Sequence, residues 1–286
     1  MSEFKAHTDL VYSLSLSHDG KTLATAGFDG MVKLWDLAAG KEVRALTGHS
    51  GPVYGVAFSP DDKLIASCGD DKTVRLWNPT DGKQAKLLQG HNGIVDAVAF
   101  GPDSRIIASC GSDKAVKLWD AVAGKESKTL GSHTVGVYAV SFAADGKQLA
   151  SAAADGVVKI WDVPGQKELK AIKAHDGQAS AVRFTADGLA TCGFDRTLRL
   201  WEVGAGKELR KIGLSDDPYA IAVAPDNKRV AVAGYAGNVT VWEWGRDKPL
   251  FAVKYPSPAY SVIFAADGRS LVSGHGDGQV RVTNIG

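Results

Sequence analysis

Cysteine, methionine and an excess of either charge are scarce in this chain, and long apolar runs are missing. Its 286 residues include 3 cysteines and 2 methionines, and 33 basic against 32 acidic residues leave a net charge of +1. Balanced charge without long runs of one sign leaves no electrostatic footprint for nucleic acid or an anionic membrane. No apolar stretch approaches the roughly 18 residues of a membrane span, and the N-terminus has no signal-peptide core. We therefore expect neither nucleic acid nor a membrane as a partner.

The three cysteines, Cys68, Cys110 and Cys192, each follow a serine or threonine at the same position of a repeated unit. An odd number of cysteines at one repeat position is typical of a small buried hydrophobic side chain and argues against a disulfide framework. This usage favours a reducing compartment, so we expect a cytoplasmic protein.

Catalytic signatures are missing as well. The motifs HExxH, GxSxG, CxxCH and the P-loop do not occur. Residues 274–278, GHGDG, are glycine-rich, but they do not precede a helix, which argues against a phosphate-binding loop. We expect no enzyme activity and no cofactor.

A repeat of about 42 residues runs through the entire chain and predicts the fold. Its marker is a tryptophan followed by Asp, Asn or Glu, and successive markers are 40 to 42 residues apart by subtraction. The markers are Trp35, Trp77, Trp119, Trp161, Trp201 and Trp242, with Thr283 in place of a seventh tryptophan. Such a repeat is typical of a β-propeller blade. Because blades bury their faces only against neighbours, we expect a single domain over residues 1–286.

Each repeat contains short runs rich in Val, Ile, Leu, Phe and Trp. In the second repeat these are VYGVAF, KLIASC and TVRLWN, followed by QAKLLQ, with polar turns between them. Short strands with a turn about every ten residues predict a four-stranded antiparallel meander. Near-continuous apolar runs fit strands that are covered on both faces. The sequence therefore predicts an all-β fold of seven four-stranded blades.

The two ends of the chain predict how the ring closes. The last repeat stops after its third strand, since only Ile285 and Gly286 follow VRVTN. Residues 2–6 precede His7, where every other repeat has the outer strand of the preceding blade. We predict that this N-terminal strand completes blade seven, which removes open sheet edges that promote aggregation.

These features resemble the WD40 repeat family over the whole chain. A histidine opens five repeats, a serine or threonine lies four residues before an aspartate, and the tryptophan follows six residues after that aspartate. The resemblance implies a buried hydrogen-bonded network of these four side chains in each blade, which is favourable only when every member is satisfied. The members in blades one to five are His7, Thr25, Asp29, Trp35; His49, Ser67, Asp71, Trp77; His91, Ser109, Asp113, Trp119; His133, Ser151, Asp155, Trp161; and His175, Thr191, Asp195, Trp201.

Blades six and seven depart from this pattern. Blade six has Trp242 but carries Val232 and Ala236 at the hydroxyl and aspartate positions, and it has no histidine. Blade seven keeps the hydroxyl and the aspartate but has Thr283 for tryptophan and again no histidine. We predict that these two blades are the least stable part of the ring.

Five evenly spaced histidines and aspartates are also compatible with metal sites or catalytic pairs. Equivalent positions in different blades do not converge on one ion, and buried polar groups need partners of their own. The structural role is therefore favoured, and we expect no metal.

Tyrosine is concentrated at one position of the repeat. The residue early in the first strand of blades one to seven is Tyr12, Tyr54, Asp96, Tyr138, Ser180, Tyr219 and Tyr260. The residue just before the turn aspartate or its equivalent is Phe28, Asp70, Ser112, Ala154, Phe194, Tyr235 and Gly276. The resemblance implies that both positions lie on the narrow top face around the mouth of a central channel, where partner peptides bind.

Tyrosine offers a large contact area at low entropy cost, so a cluster around a concave opening favours peptide binding. Nearby aspartates favour a lysine or arginine in the bound segment. The competing interpretation is packing between blades, because Tyr54 alternates with Val56 and Phe58 along one strand.

We interpret the protein as a non-catalytic, monomeric scaffold for a protein or peptide partner. The residues that we expect to bind it are Tyr12, Phe28, Tyr54, Asp70, Asp96, Tyr138, Ser180, Phe194, Tyr219, Tyr235 and Tyr260. Two alternatives stay open. One is a regulatory or targeting domain of a longer protein, since the chain begins and ends within a few residues of the ring. The other is an enzyme or small-molecule binder that uses the channel mouth, where Asp70 and Asp96 are the main titratable groups.

Overall fold

Seven four-stranded antiparallel sheets form a ring in the computed structural model, which describes residues 2–286. No helix occurs in this described part of the chain, so nothing in it qualifies as a helix long and apolar enough to cross a membrane. In each sheet, strands that follow one another in sequence are hydrogen-bonded neighbours. The predicted all-β, seven-bladed propeller is confirmed.

The strands of the first four blades follow the predicted meander. Blade one contains β2 (Val11–Leu16), β3 (Thr22–Gly27), β4 (Val32–Asp36) and β5 (Lys41–Leu46). Blade two contains β6 (Val53–Phe58), β7 (Ile65–Gly69), β8 (Thr73–Trp77) and β9 (Gln84–Gln89). Blade three contains β10 (Val95–Phe100), β11 (Ile106–Gly111), β12 (Ala115–Asp120) and β13 (Lys125–Ser132). Blade four contains β14 (Val137–Phe142), β15 (Gln148–Ala153), β16 (Val157–Asp162) and β17 (Lys167–Lys173).

The remaining three blades continue the same order until the ring closes. Blade five contains β18 (Ala179–Thr185), β19 (Gly188–Gly193), β20 (Thr197–Glu202) and β21 (Lys207–Gly213). Blade six contains β22 (Pro218–Val223), β23 (Arg229–Gly234), β24 (Asn238–Glu243) and β25 (Phe251–Lys254). Blade seven contains β26 (Ala259–Phe264), β27 (Ser270–His275), β28 (Gln279–Asn284) and β1 (Ser2–Lys5).

The N-terminal strand closes the ring as predicted. β1 pairs antiparallel with β28, with Phe4 opposite Val280 and Glu3 opposite Arg281. The Arg281 Nε atom donates to a Glu3 carboxylate oxygen at 3.0 Å. Residues 2–5 therefore supply the outer strand that the last repeat lacks.

The hydrophobic core lies between blades. One cluster joins Leu34 and Leu46 of blade one to Ile65 and Trp77 of blade two, and similar clusters recur around the ring. Trp77 is 1% exposed in this position. Because each sheet is covered on both faces, the second strands are buried along most of their length, which explains their continuous apolar sequences.

Candidate functional site

The first strand of every blade contains a β-bulge at the tyrosine-rich position. In blade two, the residues on either side of Tyr54 pair with Gly69 and Cys68, which are adjacent in the next strand, so Tyr54 is the extra residue. The same register shift occurs in the other six blades. A bulge bends the strand and re-aims a side chain. The alternation of Tyr54 with Val56 and Phe58 is therefore interrupted at the tyrosine itself.

The seven bulge residues converge on one end of the central channel. They border a cavity of about 140 Å³ that receives side chains from all seven blades. Six of them are partly buried, and Ser180 is buried. These bulge residues are Tyr12, Tyr54, Asp96, Tyr138, Ser180, Tyr219 and Tyr260. We refer to this opening as the bulge mouth.

Seven aromatic rings form a continuous arc around the bulge mouth. The members of this aromatic arc are Tyr12, Phe28, Tyr54, Phe194, Tyr219, Tyr235 and Tyr260. The Tyr12 ring lies at the centre, with its centroid 5.3 Å from that of Tyr54 and 5.9 Å from that of Tyr260. Tyr219 continues the arc at 5.0 Å from Tyr260. Both tyrosine-rich and turn positions of the repeat thus contribute to one surface.

The ends of the aromatic arc reach the protein surface. Phe28 packs 5.0 Å from Tyr54, and Phe194 and Tyr235 lie 5.5 and 6.0 Å from Tyr219. Tyr235 is 54% exposed, which is high for a large aromatic residue. Contacts at 5 to 6 Å in tilted and edge-to-face geometry hold the rings in place before any ligand arrives.

The opposite side of the bulge mouth is polar. Asp96, Tyr138, Gln178 and Ser180 line it. The Ser180 hydroxyl donates to the Pro218 carbonyl of the next blade, so this predicted contact residue is engaged in joining blades. Gln178 was not recognised in the sequence, because it lies in the loop before the strand, outside the repeated tyrosine position.

Asp96 is the charged group at the centre of this polar side. Its Oδ2 atom is buried and has no hydrogen-bond partner among the described residues. Burial, together with the negative charge of Asp113, raises the pKa of Asp96 to about 7. Burial and the charge of Asp96 also raise the pKa of Tyr12. A cationic or hydrogen-bond-donating ligand would relieve the cost of ionising Asp96 in this position.

Asp70, at the turn position of the repeat, differs from Asp96. Asp70 is exposed, and its charge contributes to a raised pKa at Tyr54, after the larger effect of burial. It therefore lies at the rim of the bulge mouth, where solvent screens its charge.

The four-residue network is complete in blades one, two, three and five. In blade two, His49 bonds through Nδ1 to Asp71 at 2.9 Å and through Nε2 to Ser67 at 2.7 Å, and the Trp77 indole N–H donates to the same hydroxyl at 2.8 Å. The other three blades repeat these contacts. Although burial acts in the opposite direction, bonds from His49 and Thr73 hold the pKa of Asp71 well below its usual range.

The expectation of a complete network is wrong for blade four. His133 bonds to Ser151 at 2.7 Å, but its Nδ1 atom is buried without a partner among residues 2–286. Asp155 instead accepts a hydrogen bond from the Thr134 hydroxyl at 2.8 Å. Thr134, the residue after His133, thus forms the hydrogen bond to Asp155 that the histidine forms in blades one, two, three and five. Burial, with a smaller effect from the Lys159 charge, lowers the pKa of His133 to about 4.

Blade seven has no histidine at the usual repeat position, as predicted, but a histidine from another position joins its network. His275, at the end of β27, bonds through Nε2 to Ser273 at 2.8 Å. Tyr255 stands where other repeats have their histidine; its ring lies 4.7 Å from the His275 ring, and its hydroxyl hydrogen-bonds to Thr283. The His275 imidazole thus comes from β27, whereas the histidines of blades one to five precede the first strand. The spacing of the repeat did not indicate this position.

Blade six has no equivalent network. Asp216 accepts from the Ala236 backbone N–H at 2.8 Å and from the Asn238 amide at 3.1 Å. The Trp242 indole donates to Thr240 two residues before it, within the same strand. The Trp242 indole therefore does not bond to β23, where Val232 replaces the hydroxyl residue of the other blades.

Each network joins residues of its own blade, so the histidines of different networks lie in different blades. Within residues 2–286, no group of three His, Cys, Asp or Glu side chains is arranged to hold a metal ion. Cys68, Cys110 and Cys192 are free and buried, and burial raises the pKa of each thiol.

The fold and its repeated networks define the chain as a seven-bladed propeller of the WD-repeat class. A family model described as the IFT122 first β-propeller matches residues 32–284, and a second, described as WD domain, G-beta repeat, matches residues 1–36. The chain therefore belongs to this WD-repeat β-propeller family.

Relatives with assigned names match a shorter stretch. Mitochondrial division protein 1 from Schizosaccharomyces pombe and the protein of the same name from Emericella nidulans are each 43% identical over 49 residues. This segment is 17% of the present chain and 8% of each relative. The likeness thus covers about one blade of a much longer protein.

Proposed function

We propose that this protein is a non-catalytic scaffold that binds a peptide or loop of a partner protein at the bulge mouth. The aromatic arc carries the proposal, because it brings seven rings from five blades into continuous contact around a concave opening. Such rings provide contact area with few side-chain torsions to freeze. Their mutual contacts preorganise the surface, which lowers the entropic cost of binding.

We further infer that the bound segment carries a lysine or arginine. Asp96 borders the mouth and has a buried carboxylate oxygen without a partner among the described residues, and the faces of the surrounding tyrosines attract cations. A cation placed there would both pair with the carboxylate and stack on the arc. Aromatic side chains with an adjacent charge are frequent hot spots in protein interfaces.

An enzyme at the same mouth is less well supported. Asp96 is the one carboxyl group among the described residues that line the cavity. General acid–base catalysis needs a further group positioned within hydrogen-bond reach of the same reacting atoms. The family to which the chain belongs is one of interaction propellers, which favours the scaffold.

The setting of this scaffold is also a proposal. We infer a monomer in a reducing compartment, the cytoplasm, and the free buried cysteines support the reducing environment. Both named relatives carry the matching segment within a much longer chain, which keeps open a regulatory or targeting role inside a larger protein.

A peptide-display selection tests the proposal. Random peptides are selected on the native protein and then measured by titration against Tyr54→Ala/Tyr260→Ala, against Asp96→Asn, and against Leu169→Ser. Leu169 is an exposed apolar residue of the outer strand β17, so its variant is the matched control. We expect selected peptides to be enriched in lysine or arginine. We expect at least tenfold weaker binding to the tyrosine variant, since hot-spot truncations cost about 2 kcal/mol or more.

The scaffold proposal and the inferred cation can each be overturned separately. Peptides that bind the native protein and the tyrosine variant equally would place the site on the blade sides or the opposite face. Selected peptides without basic residues, or with equal affinity for Asp96→Asn, would remove the inferred cation while leaving the aromatic surface intact.

A further inference from the structure

Arg183 is the one charged residue at its position of the repeat. It lies in β18, one residue before the phenylalanine that ends the first-strand motif. The equivalent residues in the other blades are small or apolar: Ser15, Ala57, Ala99, Ser141, Ala222 and Ile263. The arginine therefore introduces a positive charge into an otherwise uncharged ring of residues.

The side chain of Arg183 lies inside the central channel. Arg183 borders the bulge-mouth cavity and two further cavities of about 340 and 300 Å³ toward the other end. Leu14 and Ser15 of blade one, on the far side of the ring, border both of those lower cavities together with Arg183. The arginine therefore extends between the two lower cavities and separates them.

Few protein groups offset the positive charge of the Arg183 guanidinium. Its Nη1 atom donates to the Val182 carbonyl at 2.9 Å, and no carboxylate among the described residues forms an ion pair with it. Arginine has five N–H donors, so four remain for other partners. Arg183 is an exposed residue that borders the channel cavities. The surrounding strand walls lower the pKa of its guanidinium.

The larger of the two lower cavities combines this charge with apolar walls, formed in part by Leu16, Phe184, Val223 and Phe264. The Ser15 hydroxyl accepts a hydrogen bond from the Phe58 backbone N–H at 2.9 Å, which leaves its own hydrogen available to a ligand. The site thus contains a guanidinium that can donate two parallel hydrogen bonds, the hydroxyl donor of Ser15 and apolar side chains around them.

We propose that Arg183 binds the carboxylate of a small acid with an apolar body inside the lower channel. The planar guanidinium matches a carboxylate through two parallel hydrogen bonds. Phosphate fits less well, because some of its additional charged oxygens would lie against apolar side chains such as Phe184 and Phe264. Each lower cavity has room for several water molecules at about 30 Å³ each, which is enough for a short acyl chain. This inference does not depend on peptide binding at the bulge mouth.

Hexanoate is the probe for the test, with hexanamide as its uncharged counterpart and inorganic phosphate as the second anion. Binding is measured by titration calorimetry and by thermal midpoint for the full chain, for Arg183→Met and for Arg210→Met. Arg210 lies exposed on the outer strand β21, so its variant controls for loss of one positive charge. Arg183→Lys keeps the charge without the planar fork.

We expect hexanoate to bind the native chain and Arg210→Met alike, and to bind Arg183→Met about tenfold or more weakly, as for a lost charged hydrogen bond. Arg183→Lys should bind with intermediate affinity, and hexanamide and phosphate should bind weakly. Without ligand, Arg183→Met should melt at or slightly above the native temperature, because it removes a positive charge that has no ionic partner and is partly screened by solvent in the channel. A melt at the native or a higher temperature also shows that this variant folds.

The proposal is overturned if the native chain does not bind hexanoate at millimolar concentration. It is also overturned if Arg183→Met and the native chain bind equally, which would show adsorption elsewhere. Tighter binding of phosphate than hexanoate would reject the apolar carboxylate as the ligand class.

Discussion

The ring of Phe4 packs against the Trp35 indole, with centroids 4.8 Å apart, although the two residues belong to different blades. Phe4 is paired with Val280 in blade seven, whereas Trp35 belongs to blade one. The N-terminal strand thus completes the last sheet and also covers the tryptophan of the first. The joint between first and last blades depends on both contacts.

Deletion of residues 1–6 should therefore lower the thermal midpoint by several degrees. The deletion exposes the edge of β28, removes the Glu3–Arg281 ion pair and uncovers Trp35. Differential scanning calorimetry measures the change, with the exposed Ser2→Ala as a control. An unchanged midpoint would contradict the closing role of this strand.

The complete network of His49 should contribute more to the free energy of unfolding than the incomplete network of His133. His49→Ala leaves Ser67 and Asp71 without their buried partner and should cost about 3 kcal/mol of unfolding free energy. His133→Ala breaks a single bond, to Ser151, and should cost about 1 kcal/mol less. Urea unfolding with unchanged denaturant dependence measures both. Equal losses would show that the His49–Asp71 bond contributes nothing net.

Blade six should be the least protected part of the ring. Its tryptophan bonds within its own strand, and Val232 replaces the bridging hydroxyl, so fewer bonds resist local opening. Blade seven should be better protected than its sequence indicates, because His275 and Tyr255 restore a polar network there. Hydrogen–deuterium exchange resolved by peptide measures this order. Uniform protection around the ring would contradict it.

Acid should destabilise the protein through His133 and His275. Burial is the main cause that lowers the pKa of each to about 4, against about 6.5 in an unfolded chain. Between these values the unfolded chain binds more protons, so stability falls as pH drops from about 6.5 to about 4. Each group contributes at most about 1.4 kcal/mol per pH unit in this window.

The variant His133→Gln/His275→Gln should weaken this dependence in the same window and leave the slope above neutral pH unchanged. Thermal midpoints measured from acid to neutral pH test the expectation, with the exposed His18→Gln as control. A slope equal to that of the native chain would assign the acid sensitivity to other groups.

Asp96 should change the pH dependence of stability in the direction opposite to that of the two histidines. Its folded-state pKa of about 7 lies above its unfolded value, so the contribution of its proton is present at low pH and is lost as pH rises through about 7. Asp96→Asn should therefore raise the thermal midpoint at pH above about 8 and have little effect near pH 4. The exposed Asp70→Asn is the control. Destabilisation by Asp96→Asn in alkaline solution would contradict the proposed cost of ionising this carboxyl.

The blade number, the strand order and the closing strand were predictable because each follows from local periodicity. A strand needs only its own apolar run and turns, and the missing outer strand was visible in the last repeat. The networks of blades one, two, three and five were implied by the resemblance to the WD40 repeat family, whose residues recur at this spacing. Spacing failed for His133 because Thr134 competes for Asp155, and for His275 because Tyr255 occupies the usual histidine position.

By itself, the sequence determined the ring: repeat length, turn residues and apolar runs act within one blade and leave little choice of fold. Only the tertiary structure decided where side chains from different blades meet. The bulge at Tyr54 re-aims a residue that alternation would have placed between blades, and contacts such as Tyr12 with Tyr260 join blades distant in sequence. The direction of Arg183 into the channel likewise depends on six surrounding strands. These relations arise from ring closure, which no single repeat encodes.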